Sequence, residues 1–164
     1  MTRKQFILQV KNHEKSFRRF LMALCCGDSP LADDIAQESY LKAYVSLAKL
    51  ENPESFRYWL FRIAHNTFLS HKRCEKPTED YENAYGISSD SESDVSFRYQ
   101  DLHQALDRLP IKVRTSIILY YMEGYSVRET ADIIDSTEEA VRQHLARGRK
   151  HLKELLENNG YGRR

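Results

Sequence analysis

Hydrophobic periodicity stops at Cys74 and does not return until Arg98. In between, Glu75, Glu79, Asp80, Glu82, Asp90, Glu92 and Asp94 are scattered among Pro77, Gly86, Ser88, Ser89, Ser91 and Ser93. Such a composition buries too little apolar surface to offset the entropy of ordering it. At 24 residues the stretch also exceeds the connections found inside most compact domains. It therefore divides the chain into a unit over 1–73, an acidic flexible linker over 74–97 and a second unit over 98–164. Charge follows the same division: 12 Lys and Arg against 7 Asp and Glu in the first block, 1 against 7 in the linker, 12 against 10 in the last.

Both flanking blocks read as helix, so the expected fold class is all-α, two small helical domains. From Lys4 to Leu24, Phe6, Ile7, Val10, Phe17, Phe20, Leu21 and Leu24 recur at helical intervals, giving one or two amphipathic helices. Gly27 to Pro30 breaks the pattern, and Ser29 as N-cap with Pro30 at the first helical position starts the next helix. That helix is expected to run to about Leu50 and to bury Ile35, Leu41, Tyr44, Val45 and Leu47. Asp34, Gln37 and Glu38 lie on another side of it, as a solvated face or a docking surface. After the turn 51–55, Ser55 is the expected cap of a helix from Phe56 to Arg73.

This last helix is too apolar for an ordinary surface and too basic for a buried position. Phe56, Leu60, Ile63, Ala64 and Thr67 form one stripe. Trp59, Arg62, Asn66, Ser70 and Arg73 form another, flanked by Tyr58, His65 and Leu69. Rings interleaved with cations and an amide suit an unstacked nucleic-acid strand: faces for bases, charge for phosphates, a bidentate group for a base edge. The alternative is a core helix whose aromatics all pack inward.

In the second block, Leu102, Ala105, Leu106 and Leu109 precede Pro110, which starts a helix carrying Val113, Ile117, Ile118, Tyr120 and Tyr121 and closing at 123–125. Two capping-box patterns follow ten residues apart, Ser126 to Glu129 and Ser136 to Glu139. The two helices they start are joined by a tight turn and read as helix-turn-helix. On the second, Val141, Leu145, Gly148 and Leu152 face inward. Gln143, Ala146, Arg147 and Lys150 face outward, flanked by Arg142, Arg149 and Lys153. No acid occurs from Ala140 to Lys153, so this surface suits the major groove, with Arg and Gln available for base edges. The alternative is a helical hairpin with a solvated basic face.

No phosphate-cradling glycine loop, paired carboxylates in an apolar setting or nucleophile beside a base is found, so no enzyme activity is expected. Cys25, Cys26 and Cys74 form no ligand-type spacing with the six histidines, which implies no metal, no cofactor and a reducing compartment. The longest apolar run, Phe20 to Cys26, is too short to span a bilayer, and the start lacks the pattern of a secretory signal. A cytoplasmic protein is expected.

Taken together, these segments resemble the extracytoplasmic-function (ECF) group of sigma factors, the promoter-recognition subunits of bacterial RNA polymerase. Asp33 to Tyr44 is similar to the segment that grips the clamp helices of the largest polymerase subunit, which implies a docking role for Asp34, Gln37, Glu38 and Lys42. Phe56 to Arg73 is similar to the helix and loop that melt and read the minus-ten element. The resemblance places single-strand contacts at Trp59, Arg62, Asn66, Ser70, Lys72 and Arg73, with Asn66 where a flipped-out base is held. Leu106 to Pro110 and the helix-turn-helix resemble the domain that reads the minus-thirty-five duplex, which implies DNA contacts at Arg142, Gln143, Ala146, Arg147, Arg149 and Lys150. The implied partners are core RNA polymerase and promoter DNA, with an anti-sigma factor as a further candidate that no segment of this chain identifies. A stand-alone helix-turn-helix transcriptional regulator is the alternative, followed by a polymerase- or sigma-binding protein that never touches DNA.

Overall fold

A computed structural model describes residues 1–74 and 94–158, so the linker expected over 74–97 lies almost wholly outside the described residues. The described residues form seven α-helices: α1 (Arg3–Leu24), α2 (Ser29–Val45), α3 (Phe56–Cys74), α4 (Asp94–Asp107), α5 (Ile111–Ile117), α6 (Val127–Ile133) and α7 (Glu138–Asn158). No strand occurs among the described residues.

α1 is a single helix, opened by a capping box in which the Thr2 side chain accepts from the Gln5 amide and Gln5 returns a bond to the Thr2 amide. α2 starts one residue earlier than expected. Asp28, not Ser29, is its cap, with Oδ1 accepting from the Leu31 amide at 3.1 Å. Asp reaches that amide from outside the helix, and Ser29 takes the first helical position with Pro30 behind it. α2 then ends at Val45 rather than near Leu50, continuing as a 3-10 turn over Leu47–Lys49. Asn52, not Ser55, supplies the cap before α3. Its side chain accepts from the Glu54 amide, and the turn Pro53–Ser55 runs straight into Phe56.

Of the α2 residues expected in the core, Ile35 is fully buried and Leu47, just past the helix, half-buried, but the other three face outward. Ala32, Ile35, Ser39 and Ala43 are buried, while Leu41, Tyr44 and Val45 are 63, 46 and 76% exposed. Small side chains at 32, 39 and 43 let α2 approach α1 and α3 closely, so the larger residues are left on the outside.

The amino-terminal core is aromatic. Phe17 and Phe20 meet Phe61 with ring centroids 5.6 and 4.7 Å apart, and Phe6 meets Phe56 at 5.7 Å. In the second block α5 continues as a π-helical turn over Ile118–Met122, and Gly124, at φ 75°, lets the chain reverse into α6. Tyr120 and Tyr121 on this turn are exposed. The Ser126–Glu129 capping box forms as expected. At α7 the cap is Thr137, whose Oγ1 accepts from the Ala140 amide, rather than Ser136. The Ser136 amide instead closes the turn on Ala131 O at 2.8 Å, behind Asp135 at φ 53°. α4 begins at Asp94, ahead of the expected return of helix at Arg98.

The two blocks touch. Glu123 has a fully buried side chain that accepts from Arg19 (Nε and Nη2, both 3.0 Å) and from Arg57 (Nη2, 2.9 Å). The Arg57 guanidinium also stacks over Phe61 and Tyr125, at 5.1 and 4.7 Å. Arg114, itself buried, donates to Leu24 O across the same junction and to Leu106 O, each at 2.9 Å. These ties span up to 104 residues of sequence, and no local pattern announces them.

Candidate nucleic-acid interface

α3 is covered by α1, α2 and α6. Phe56, Leu60, Phe61, Ala64, His65, Thr67 and Phe68 are buried as a result. What remains outward is a narrow strip: Arg62, Asn66, Ser70 and Arg73 are exposed. Trp59 stands half-buried at the edge of the strip, with its ring 6.2 Å from Phe56. Lys72 is half-buried, its ammonium 5.7 Å from the centre of the Phe68 ring. Ser70 Oγ donates to Asn66 O at 3.1 Å, so these two exposed residues are linked along the helix.

His65 departs from its expected place beside this strip. It is wholly buried, neither ring nitrogen has a hydrogen-bond partner in the structure, and burial together with the nearby Lys112 charge pushes its pKa down to about 4. Tyr58, half-buried near the strip, has its pKa raised by burial and then by Asp132. Asp132 and Glu129 on α6 line an open cleft with Glu54, Ser55, Arg57, Tyr58 and Tyr125. The cationic strip therefore has an acidic border where α6 crosses α3.

The second cationic surface lies on α7. Val141, Leu145 and Gly148 are buried and Leu152 partly so, against α5 and α6. A Cβ on Gly148 would lie 2.6 Å from Ile117 Cγ1, so only glycine allows α7 this approach to α5. Arg142, Gln143, Ala146, Arg147, Arg149 and Lys150 are all exposed, on the face the periodicity predicts. Two of the cations have protein partners. Arg142 Nη2 lies 3.2 Å from Glu138 Oε2, and Arg149 Nη1 donates to Tyr121 OH at 2.9 Å.

On α2, Asp34 and Gln37 are exposed on the side opposite the buried stripe. Leu41 and Val45 share that side, which makes an outward strip that is both acidic and apolar. Sequence reading assigned those two side chains to the core and so missed them as surface. The residues Glu38 and Lys42 are engaged within the chain: Glu38 binds Lys42 at 2.8 Å and His71 at 2.7 Å, and Lys42 Nζ donates to Thr67 Oγ1 at 3.2 Å.

No group of three or more His, Cys, Asp or Glu suited to a metal ion occurs among the described residues. No described helix is long and apolar enough to cross a membrane.

Comparison with known proteins gives this arrangement its family. The model of sigma-70 region 2 matches residues 9–78, and that of sigma-70 region 4 matches residues 99–152. RNA polymerase sigma factor SigV of Bacillus subtilis is 29% identical over 93% of this chain and 91% of its own. The ECF RNA polymerase sigma factor SigW of the same organism is 30% identical, covering 79% of this chain and 78% of its own. Among solved structures, the sigma factor RpoE in complex with the anti-sigma factor NepR from Bartonella quintana superposes with a TM-score of 0.76 at 25% identity, covering 94% of this chain and 98% of that one. CnrH in complex with the cytosolic domain of CnrY gives 0.74 at 21% identity, a likeness of fold over 97% of this chain and 92% of that one. The chain belongs to the ECF group of the sigma-70 family, the promoter-recognition sigma factors of RNA polymerase.

Proposed function

We propose that this sigma factor divides promoter recognition between its two exposed cationic helix faces, without a catalytic centre of its own and in the cytoplasm. The α3 strip captures bases of the melted minus-ten strand: Asn66 and Ser70 meet a base, Trp59 and Arg62 support melting, Lys72 and Arg73 meet phosphates. The α7 face reads the minus-thirty-five duplex through Arg142, Gln143, Ala146, Arg147, Arg149 and Lys150. The Asp34, Gln37, Leu41 and Val45 strip of α2 docks on core RNA polymerase, with Glu38 and Lys42 beside it. An anti-sigma factor is a further partner, by analogy with the sigma factor RpoE solved in complex with the anti-sigma factor NepR.

The observation that carries this reading is the exposure of all six α7 positions on one helix face, within a stretch from Ala140 to Lys153 that holds no acid, paired with the narrow polar strip on an otherwise buried α3. A division into units over 1–73 and 98–164 fits a target with two elements. Such a division assigns one promoter element to each unit, the α3 strip belonging to the first and the α7 face to the second.

In vitro transcription with added core polymerase tests the proposal. Promoter-dependent initiation that is lost with Arg147→Ala, on a template whose minus-thirty-five element is required, supports it. Tight duplex binding without polymerase and indifference to Trp59→Ala or Asn66→Ala would favour a stand-alone helix-turn-helix regulator.

A further inference from the structure

Glu38 and Lys42 are bound to α3 from across the helix interface. Glu38 Oε2 meets His71 Nε2 at 2.7 Å and Glu38 Oε1 meets Lys42 Nζ at 2.8 Å. Lys42 Nζ donates to Thr67 Oγ1 at 3.2 Å, and that buried hydroxyl donates to Ile63 O at 2.8 Å. Two side chains of α2 and two of α3 thus form one cross-brace.

Its attachment points matter more than its strength. Thr67 directly follows Asn66, and His71 directly follows Ser70, the two exposed residues linked along the helix by a 3.1 Å hydrogen bond. Beyond Phe68 no side chain of α3 is buried, so apolar packing does not aim its last turn. A polar contact to α2 does. The hydrogen bonds from Lys42 and then His71 hold the Glu38 carboxyl below its ordinary range, so it stays an anionic acceptor.

We infer that His71 is a positioning residue for strand reading: through Glu38 it holds the final turns of α3 at the angle at which Asn66 and Ser70 meet an unpaired base. The inference rests on the proposed reading of α3 as the single-strand surface. It also ties that surface to the helix proposed to dock on polymerase, through a contact that lies beside the Asp34, Gln37, Leu41 and Val45 strip and leaves that strip free.

The test uses the full chain assembled with a saturating amount of core polymerase, on promoter duplex carrying 2-aminopurine in the minus-ten strand. His71→Ala should lower the fraction of melted promoter roughly fivefold, the size of one half-exposed charged hydrogen bond, with core affinity and unfolding temperature unchanged. His71→Lys, which keeps an N–H donor facing Glu38, should restore melting. Glu38→Gln combined with His71→Ala should be no worse in melting than His71→Ala alone. Normal melting by His71→Ala, no rescue by His71→Lys, or parallel losses in core binding and melting would each overturn the inference. Asn66→Ala separates the two levels. If Asn66→Ala impairs melting while His71→Ala does not, the brace fails and the α3 reading stands; if Asn66→Ala has no effect, the α3 reading fails and the inference with it.

Discussion

Arg57 and Glu123, 66 residues apart, meet at 2.9 Å in a setting where the carboxylate side chain has no solvent exposure and a second guanidinium, Arg19, binds it in bidentate fashion. A buried anion is tolerable only while its partners stay in place. Glu123→Ala removes the acceptor shared by two partly exposed arginines and should cost about 1–3 kcal/mol, whereas the triple replacement Arg19→Met, Arg57→Met, Glu123→Leu should recover most of that loss. Urea unfolding of the full chain checks this; a Glu123→Ala midpoint equal to that of the unmodified chain would show that the pair does not hold the blocks together.

Leu41 and Val45 should behave as interface residues rather than core residues. At 63 and 76% exposure they lose little packing on truncation, so Leu41→Ser and Val45→Ser should shift stability by no more than about 0.5 kcal/mol. Each should weaken binding to core polymerase by about tenfold, as central apolar contacts of an interface do. Fluorescence anisotropy of labelled protein titrated with core enzyme measures the second effect, and thermal unfolding the first. Loss of stability without loss of affinity would return both residues to a structural role.

His65 should make the fold sensitive to acid. Its folded pKa of about 4 lies below the usual 6.5, so the unfolded chain takes up the proton first. Its full contribution to stability is present above about pH 6.5 and is lost as pH falls through about 4, up to about 3 kcal/mol. His65→Leu should flatten the fall in stability between pH 6.5 and 4. Because the imidazole makes no hydrogen bond in the structure, this variant should be at least as stable as the parent at pH 7.5. An unchanged slope from pH 6.5 to 4 would contradict the assignment.

On α7, Arg147→Ala should weaken minus-thirty-five duplex binding by the holoenzyme. If the guanidinium meets phosphate, the slope of log affinity against log salt should fall by about one, uniformly across sequences; if it meets a base edge, discrimination at one position should relax at a cost of about 1–3 kcal/mol. Electrophoretic mobility shifts at several salt concentrations separate the two.

Much of this was readable from spacing alone, and the failures have physical causes. The α7 stripe and its basic face follow from residues three and four apart on one long helix, so the structure returns them position by position. The Ser126–Glu129 box was legible because both partners lie within one turn. α2 was misread because its core contacts are Ala32, Ser39 and Ala43, side chains that carry little hydropathy, while Leu41, Tyr44 and Val45 carry a strong signal and face outward. Its N-cap moved by one residue because Asp28 and Ser29 are equally able to accept an amide, and only backbone geometry chooses. His65 could not be placed from α3 alone, since its surroundings include Lys112 of the second block, which α3's own pattern does not announce. Arg19, Arg57, Glu123 and the His71–Glu38 contact join residues 33 to 104 positions apart, and nothing local marks them.

The central claim is that the exposed strip of α3 reads melted promoter strand. The most direct measurement is open-complex formation by holoenzyme carrying Asn66→Ala, followed by permanganate reactivity at the minus-ten element with core binding measured in parallel. Core affinity should stay within twofold of the parent and open-complex formation should fall at least about tenfold, the loss of a bidentate contact to a base. Wild-type melting by Asn66→Ala, or equal losses of core binding and melting, would contradict that claim.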